Sequence, residues 1–286
     1  MKPRFLVITL HSGENEFGAC KASVAAQQGV DVSHEVIAGL DNEAAHKALY
    51  QMIMSNADSY DRFLKLDADM VLNRPTALQE VNRVFENNPG VDHVVSMVQD
   101  HYTNRAIYGV HGFSPRVRWE LEKHDQLFVD PDPQYEGTML RDPEGLAIYV
   151  DHAPDPDRYQ AFHFGFHRTL KLMQMIKNKQ SARHIQYQLG ILKDAETYYE
   201  KDGPETLGMT VLAADLVRRG ELTAKTGDKN NAQVEAAFRK IENLSDDQVR
   251  KRVRMGKPAR MLAYWWLLLR IRRKVERAER QIARNR

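Results

Sequence analysis

Phe63-Leu-Lys-Leu-Asp67-Ala-Asp69-Met-Val-Leu72 is the stretch on which the reading of this chain turns. Apolar residues lead into two carboxylates two positions apart. A short apolar run of this kind predicts a strand buried on both faces, with the carboxylates falling where it ends. Ligands of open α/β sheets bind beyond the carboxyl ends of strands. Two carboxylates held there repel each other unless a cation or a proton sits between them. Oxygen donors of this type suit Mg²⁺ or Mn²⁺, ions that also hold substrate phosphates. The alternative is that Asp67 and Asp69 cap a turn ahead of a helix opening at Pro75.

Upstream, Phe5–Leu10 is a continuous apolar run and predicts a buried strand. It is too short for a signal-peptide core with a cleavage site, and Ser12, Gly13 and Glu14 follow at once. Helix is predicted for Glu16–Gln28, Asn42–Met54 and Pro75–Glu86, and strand for Val32–Ala38, Arg62–Leu66 and His93–Val98. Repeated strand–helix units imply a parallel sheet with helices on its faces. Ala106–Phe113 and Leu146–Val150 read as further strands, separated by an Asp-, Pro- and Gly-rich loop from Asp130 to Gly145. A second such loop, Asp151–Arg158, carries Pro154 and Pro156, and from Tyr159 onward the pattern is helical. The expected class is therefore α/β, with a nucleotide-binding type of sheet, flanking helices and a helical C-terminal extension. The expected divisions are 1–178, 179–255 and 256–286.

Lys65-Leu-Asp67-Ala-Asp69-Met70, following two strand–helix units, resembles the Asp-x-Asp motif of GT-A glycosyltransferases, in the form of family-2-like bacterial enzymes. The resemblance covers roughly residues 4–175. It implies a nucleotide-sugar donor, a metal-bridged diphosphate with Mn²⁺ or Mg²⁺ at Asp67 and Asp69, and transfer of a hexosyl group to a glycan or lipid-linked acceptor. Lys65 is implied beside the donor. In such enzymes the loop after the first strand meets the nucleoside, which makes Ser12 and Glu14 candidates; Ser12 or Asn15 would equally suit a helix N-cap. An acidic residue after the second strand contacts base or ribose, a role implied for Asp41, which is also a good N-cap. A third ligand or a base commonly follows the core sheet. His152 is a candidate ligand, and Asp151 the preferred base of an inverting reaction, with Glu136 and Asp142 as alternatives; a retaining enzyme needs no such base. His163, His167 and Lys171 recur at four-residue spacing with Arg168 beside them. On a helix they share a face suited to a diphosphate, or form a partly exposed polar stripe. His111 either lines the acceptor side or is a core histidine.

The 286 residues, 42% of them hydrophobic, suffice for a sizeable core, and the lone Cys20 excludes an internal disulfide. The formal charge of +2 hides an asymmetry. Residues 250–286 hold 14 Lys and Arg against 2 Glu, leaving 27 basic and 37 acidic residues in the rest. Within that basic tail, Met261-Leu-Ala-Tyr-Trp-Trp-Leu-Leu-Leu269 is too short to span a bilayer. Its aromatics and flanking charges predict a helix lying on an anionic membrane surface, and so a cytoplasmic, peripheral protein at the inner face. The other reading is a helix packed on the protein itself. No recognition module points to nucleic acid. Two rival functions are a HAD-type phosphohydrolase, which wants its Asp-x-Asp on the first strand, and a non-catalytic scaffold with a GT-A body.

Overall fold

The computed structural model describes residues 1–124, 133–178, 180–201, 203–223, 228–229 and 231–284. The chain divides into two compact units, one formed by residues 1–126 and 130–157, the other essentially by 158–286. The boundary falls about twenty residues ahead of the expected one, so the helix carrying His163 to Lys171 belongs to the second unit.

The first unit is mixed α/β. Its strands are β1 (Arg4–His11), β2 (Asp31–Ala38), β3 (Arg62–Asp67), β4 (Met70–Leu72), β5 (His93–Asp100), β6 (Arg105–Phe113), β7 (Arg118–His124), β8 (Pro133–Glu136), β9 (Met139–Arg141) and β10 (Val150–His152). Between them run α1 (Phe17–Ala25), α2 (Asn42–Ser55) and α3 (Ala77–Asn87). The main sheet has the order β2-β1-β3-β6-β5-β10-β4, with β9 also on β5. β1 is central to the predicted parallel part: β2 and β3 flank it, both parallel. Phe5, Leu6, Val7 and Ile8 are buried at 2% exposure or less, as an apolar run without alternation requires.

An all-parallel sheet is not what forms. β6 runs antiparallel to both β3 and β5. β10 lies parallel to β5 and antiparallel to β4. The cause is local. β5 and β6 are joined by only the four residues 101–104, too few for the helical crossover a parallel pair needs. Of the expected strand Leu146–Val150, only the last residue is extended, and the strand continues to His152. The expected loop contains β8 and β9, and β7 and β8 form a separate antiparallel ribbon. The loop's first residue, Asp130, lies outside the described residues. One core cluster joins Leu6, Ile8 and Phe63 of the sheet to Leu49, Tyr50 and Ile53 of α2 and to Trp119 of β7.

The second unit is helical: α4 (Arg158–Lys177), α5 (Ala182–Lys201), α6 (Leu207–Arg218), α7 (Ala232–Arg239) and α8 (Asp246–Arg284). α6 is buried along nearly its whole length. α4 crosses it so closely that a Cβ on Gly165 would stand 2.0 Å from the Thr210 carbonyl oxygen. The Thr210 hydroxyl donates to the Ala161 carbonyl at 2.8 Å across the same crossing. Phe238 of α7 packs its ring on Tyr159 and Phe162 of α4. α8 runs unbroken through the expected 255/256 division and includes Pro258.

Candidate functional site

β3 ends on Asp67, the chain turns through Ala68 and Asp69, and β4 begins at Met70. The turn is tied down by the Ala68 N–H, which donates to the Leu10 carbonyl at 3.0 Å, and Ala68 itself is fully buried. The two carboxylates are thus fixed at the carboxyl end of β3 beside the carboxyl end of β1. Lys65, two residues back on the same face of β3, places its Nζ 2.9 Å from Asp67 Oδ1.

The pairing of β10 then imports the next residues. In register, His152 stands opposite Met70 on one side and Asp100 on the other. The Ala153 N–H donates to the Asp69 carbonyl at 2.7 Å, with Ala153 at φ +49°, a left-handed conformation that re-aims the chain. His152 Nδ1 is 2.6 Å from Asp100 Oδ1, and Nε2 is 3.5 Å from Asp69 Oδ2. Asp100 is fully buried; its Oδ2 also accepts from the Thr103 N–H at 2.9 Å and hydroxyl at 2.5 Å. The Tyr102 ring stands edge-on to the imidazole at 5.8 Å. Burial opposes charge on His152, but Asp69 and Asp100 outweigh it and push the pKa up to about 10. Burial, reinforced by the surrounding carboxylates, keeps the Tyr102 phenol protonated. The buried Cys20 thiol is pushed up to about 11, which leaves it unreactive.

The residue types at this strand end are those that suit a hard divalent cation. Asp69 supplies oxygen, and the His152 imidazole would offer Nε2 on giving up its proton there, with Nδ1 held by buried Asp100, the arrangement that orients ligating histidines in metal sites. Among the described residues, no three His, Cys, Asp or Glu side chains are grouped so as to hold a metal ion by themselves.

Around this centre the other predicted residues fall unevenly. Glu14 accepts from the Ser12 N–H at 2.7 Å and hydroxyl at 2.5 Å, closing the loop after β1. That loop is joined to the segment after β10: Asn15 Nδ2 donates to the Asp155 carbonyl at 2.7 Å, and the Asp155 N–H donates to Glu16 Oε1 at 3.1 Å. Asp151 is half-buried, with Oδ1 3.9 Å from His101 Nε2. Asp41 caps α2 by accepting from the Ala44 N–H at 2.8 Å. The alternative bases stand apart. Asp142 follows β9, whose residues pair with His93–Val95 at the opposite end of β5 from Asp100, roughly 13 Å along the strand at its usual rise. Glu136 sits in the β7–β8 ribbon. His111 is hydrogen-bonded to His93 at 2.8 Å, and His93 in turn to the Tyr135 hydroxyl at 2.8 Å, within the stacked rings of the sheet core.

His163, His167, Arg168 and Lys171 lie on α4 in the second unit, all half-buried. The two imidazoles stack at 5.9 Å, and the Arg168 guanidinium lies over Phe164 at 5.2 Å. The residue that sequence reasoning passed over is Asp100. Its signal was present: it is an acidic residue at the end of an apolar strand, as Asp67 is. What could not be read was that β10 would lay a histidine against it.

No protein-family model matches the sequence, and no curated protein matches it. Among solved structures, the chain is similar to a protein from STIV, at 17% identity and a TM-score of 0.30 over 44% of this chain and 71% of that one. It is similar to a glycosyltransferase involved in the glycosylation of the major capsid of PBCV-1, at 16% identity and a TM-score of 0.27 over 39% and 60% of the two chains. It is also similar to a protein assigned as a nucleotide-diphospho-sugar transferase from Desulfovibrio desulfuricans G20, at 14% identity and a TM-score of 0.26 over 40% and 64%. The chain thus spans less than two thirds of the length of the latter two, and at these scores the reading of function rests on the residues of the site.

Proposed function

We propose that the first unit is a divalent-metal-dependent glycosyltransferase domain that moves a sugar, of hexosyl type, from a nucleotide-sugar to a hydroxyl of a glycan or lipid-linked acceptor. The observation that carries this reading is the meeting of His152 with Asp69, the second carboxylate after the end of β3, with Asp100 buried behind the imidazole. Asp67, Asp69 and His152 would hold Mn²⁺ or Mg²⁺. When bound, such an ion neutralises the diphosphate and stabilises the charge that develops on it as a leaving group.

The protein's own groups have separable roles in this reading. Lys65 offsets the charge of Asp67 and would give a phosphate oxygen of the donor a point charge to meet. Asp100 fixes the ring plane of His152 and leaves Nε2 facing Asp69. The loop Ser12–Asn15, closed by Glu14, offers backbone and hydroxyl groups to the nucleoside, and Asp41 places its carboxylate beyond β2, where it would meet base or ribose. Asp151 serves as general base for an inverting transfer. It takes the acceptor hydroxyl proton as that oxygen bonds to the anomeric carbon; the carbon–oxygen bond to phosphate breaks, and its electron pair leaves with the nucleoside diphosphate.

Calorimetric titration of the full chain with uridine and guanosine diphosphates, with and without Mn²⁺, tests the reading. Binding that needs Mn²⁺ and is lost in Asp69→Asn supports it. Unchanged binding after chelation, or in Asp69→Asn, overturns the metal assignment.

A further inference from the structure

α8 has two apolar faces. At 100° per residue, Val253, Arg260, Tyr264, Leu267 and Ile271 fall on one side, and all five are buried at 8% exposure or less. Tyr264, Leu267 and Ile271 join Leu172 and Met175 of α4 and Leu189 and Leu192 of α5 in a single core cluster. Met255, Met261, Leu262, Trp265 and Trp266 fall within an arc of roughly 140° on the opposite side. They are exposed at 72%, 56%, 66%, 60% and 56%. An apolar stripe with two tryptophans is not what a helix finished by its own core displays.

Charge brackets the same arc. Lys251 and Arg254 precede the stripe and Arg272 and Arg273 follow it within the arc, Arg252 stands at its margin, and all five are exposed. Residues 250–286 carry a formal +12. A second copy of this chain is a poor occupant, because it would set two such segments against each other. The complementary partner is a surface that is anionic outside and apolar beneath. No helix among the described residues is long and apolar enough to cross a membrane.

We infer that α8 is a peripheral membrane anchor, lying in the plane of an anionic bilayer with Met255, Leu262, Trp265 and Trp266 buried in the headgroup layer and Lys251, Arg252, Arg254, Arg272 and Arg273 on the lipid phosphates. Two corrections to the sequence reading make the assignment specific. Tyr264, expected among the interfacial aromatics, is in the core, where burial pushes its phenol up to about 12 and Arg218 donates to its oxygen at 2.8 Å. Arg260, expected among the flanking charges, is a buried ion-pair partner of Glu196 and Asp215. The anchor is therefore one face of a structural helix, and it is independent of the transfer reaction proposed for the first unit.

Flotation of the full chain with vesicles made of equal parts phosphatidylcholine and phosphatidylglycerol tests this directly. The wild type should float with them and not with pure phosphatidylcholine, less so as salt rises. Trp265→Glu/Trp266→Glu should lower the partition on the order of tenfold or more, with an unchanged melting temperature. Tryptophan emission gives a second readout that needs no substitution. Trp119 is buried, so a blue shift on adding the anionic vesicles reports on Trp265 and Trp266. A wild type that neither floats nor shifts, or a double variant that floats equally well, overturns the inference. So does a wild-type dimer that the double variant converts to monomer without any vesicle binding, which would make the face an interface between copies.

Discussion

At the scale of single residues, the candidate site is a set of side chains whose value depends on one another. Asp100 is the clearest case, because it reaches no ligand yet decides which nitrogen of His152 faces Asp69. Asp100→Asn should weaken Mn²⁺ binding about 10- to 100-fold, the usual cost of losing such an orienting carboxylate, and calorimetry with Mn²⁺ alone checks it. Full Mn²⁺ affinity in that variant would remove His152 from the ligand set. Asp67→Asn and Asp69→Asn should each abolish Mn²⁺-dependent nucleotide binding while leaving the melting temperature within a few degrees of the wild type. A different residue sets an acid limit on stability. Burial, with the charge of Arg141 adding to it, pushes the His93 imidazole down to about 4. Its ordinary value is about 6.5, so the unfolded chain takes the proton first. Stability is then fully present above about pH 6.5 and falls by up to about 3 kcal/mol as the pH drops toward 4. Denaturant titrations across that range should show the loss, and His93→Gln should flatten its slope.

At the scale of elements, α8 and α4 owe their positions to contacts that composition disguised. α8 looked like a detachable basic tail, but its inner face supplies Arg260, whose guanidinium donates from Nε to Glu196 at 2.8 Å and from Nη1 to Asp215 at 2.5 Å. Gly256 makes that approach possible, since a Cβ there would stand 2.6 Å from Asp215 Oδ2. Arg260→Met takes the cation from buried Glu196 and leaves Asp215 only Arg218, and should cost about 3–5 kcal/mol, read by urea unfolding. For the same reason, deleting residues 256–286 should yield a chain whose second unit does not fold, visible as lost helical circular dichroism beyond that of the removed residues. A well-folded truncation would show that the Arg260 pairs and the Tyr264 cluster are dispensable. In α4, Gly165→Ala forces a methyl group onto the Thr210 carbonyl and should destabilise the second unit by about 1–3 kcal/mol or more, with the melting temperature as the readout.

At the scale of the molecule, the two units invite a test of where ligand contacts lie. Hydrogen exchange with a nucleoside diphosphate and Mn²⁺ should slow in the segments after β1, β3 and β10. Slowed exchange in α4 as well would return His163, His167, Arg168 and Lys171 to the donor site. Much of the first unit was legible in advance, because its determinants are local. An apolar run such as Phe5–Ile8 is a buried strand whatever surrounds it, Asp41 caps α2 through an N–H three residues away, and Asp67 and Asp69 mark a strand end by their own polarity. What the amino-acid order determined by itself was thus the strand–helix opening, the acidic strand end, the helical second half and the excess of basic charge at its end. Only the tertiary structure decided the antiparallel entry of β6, the laying of β10 between β4 and β5, the meeting of His152 with Asp69 and Asp100, and which side of α8 faces the core. The physical reason is sequence separation: strand partners are chosen by register between segments as far apart as Met70 and His152, and the buried side of a doubly apolar helix is chosen by the surface it meets, neither of which a local pattern encodes.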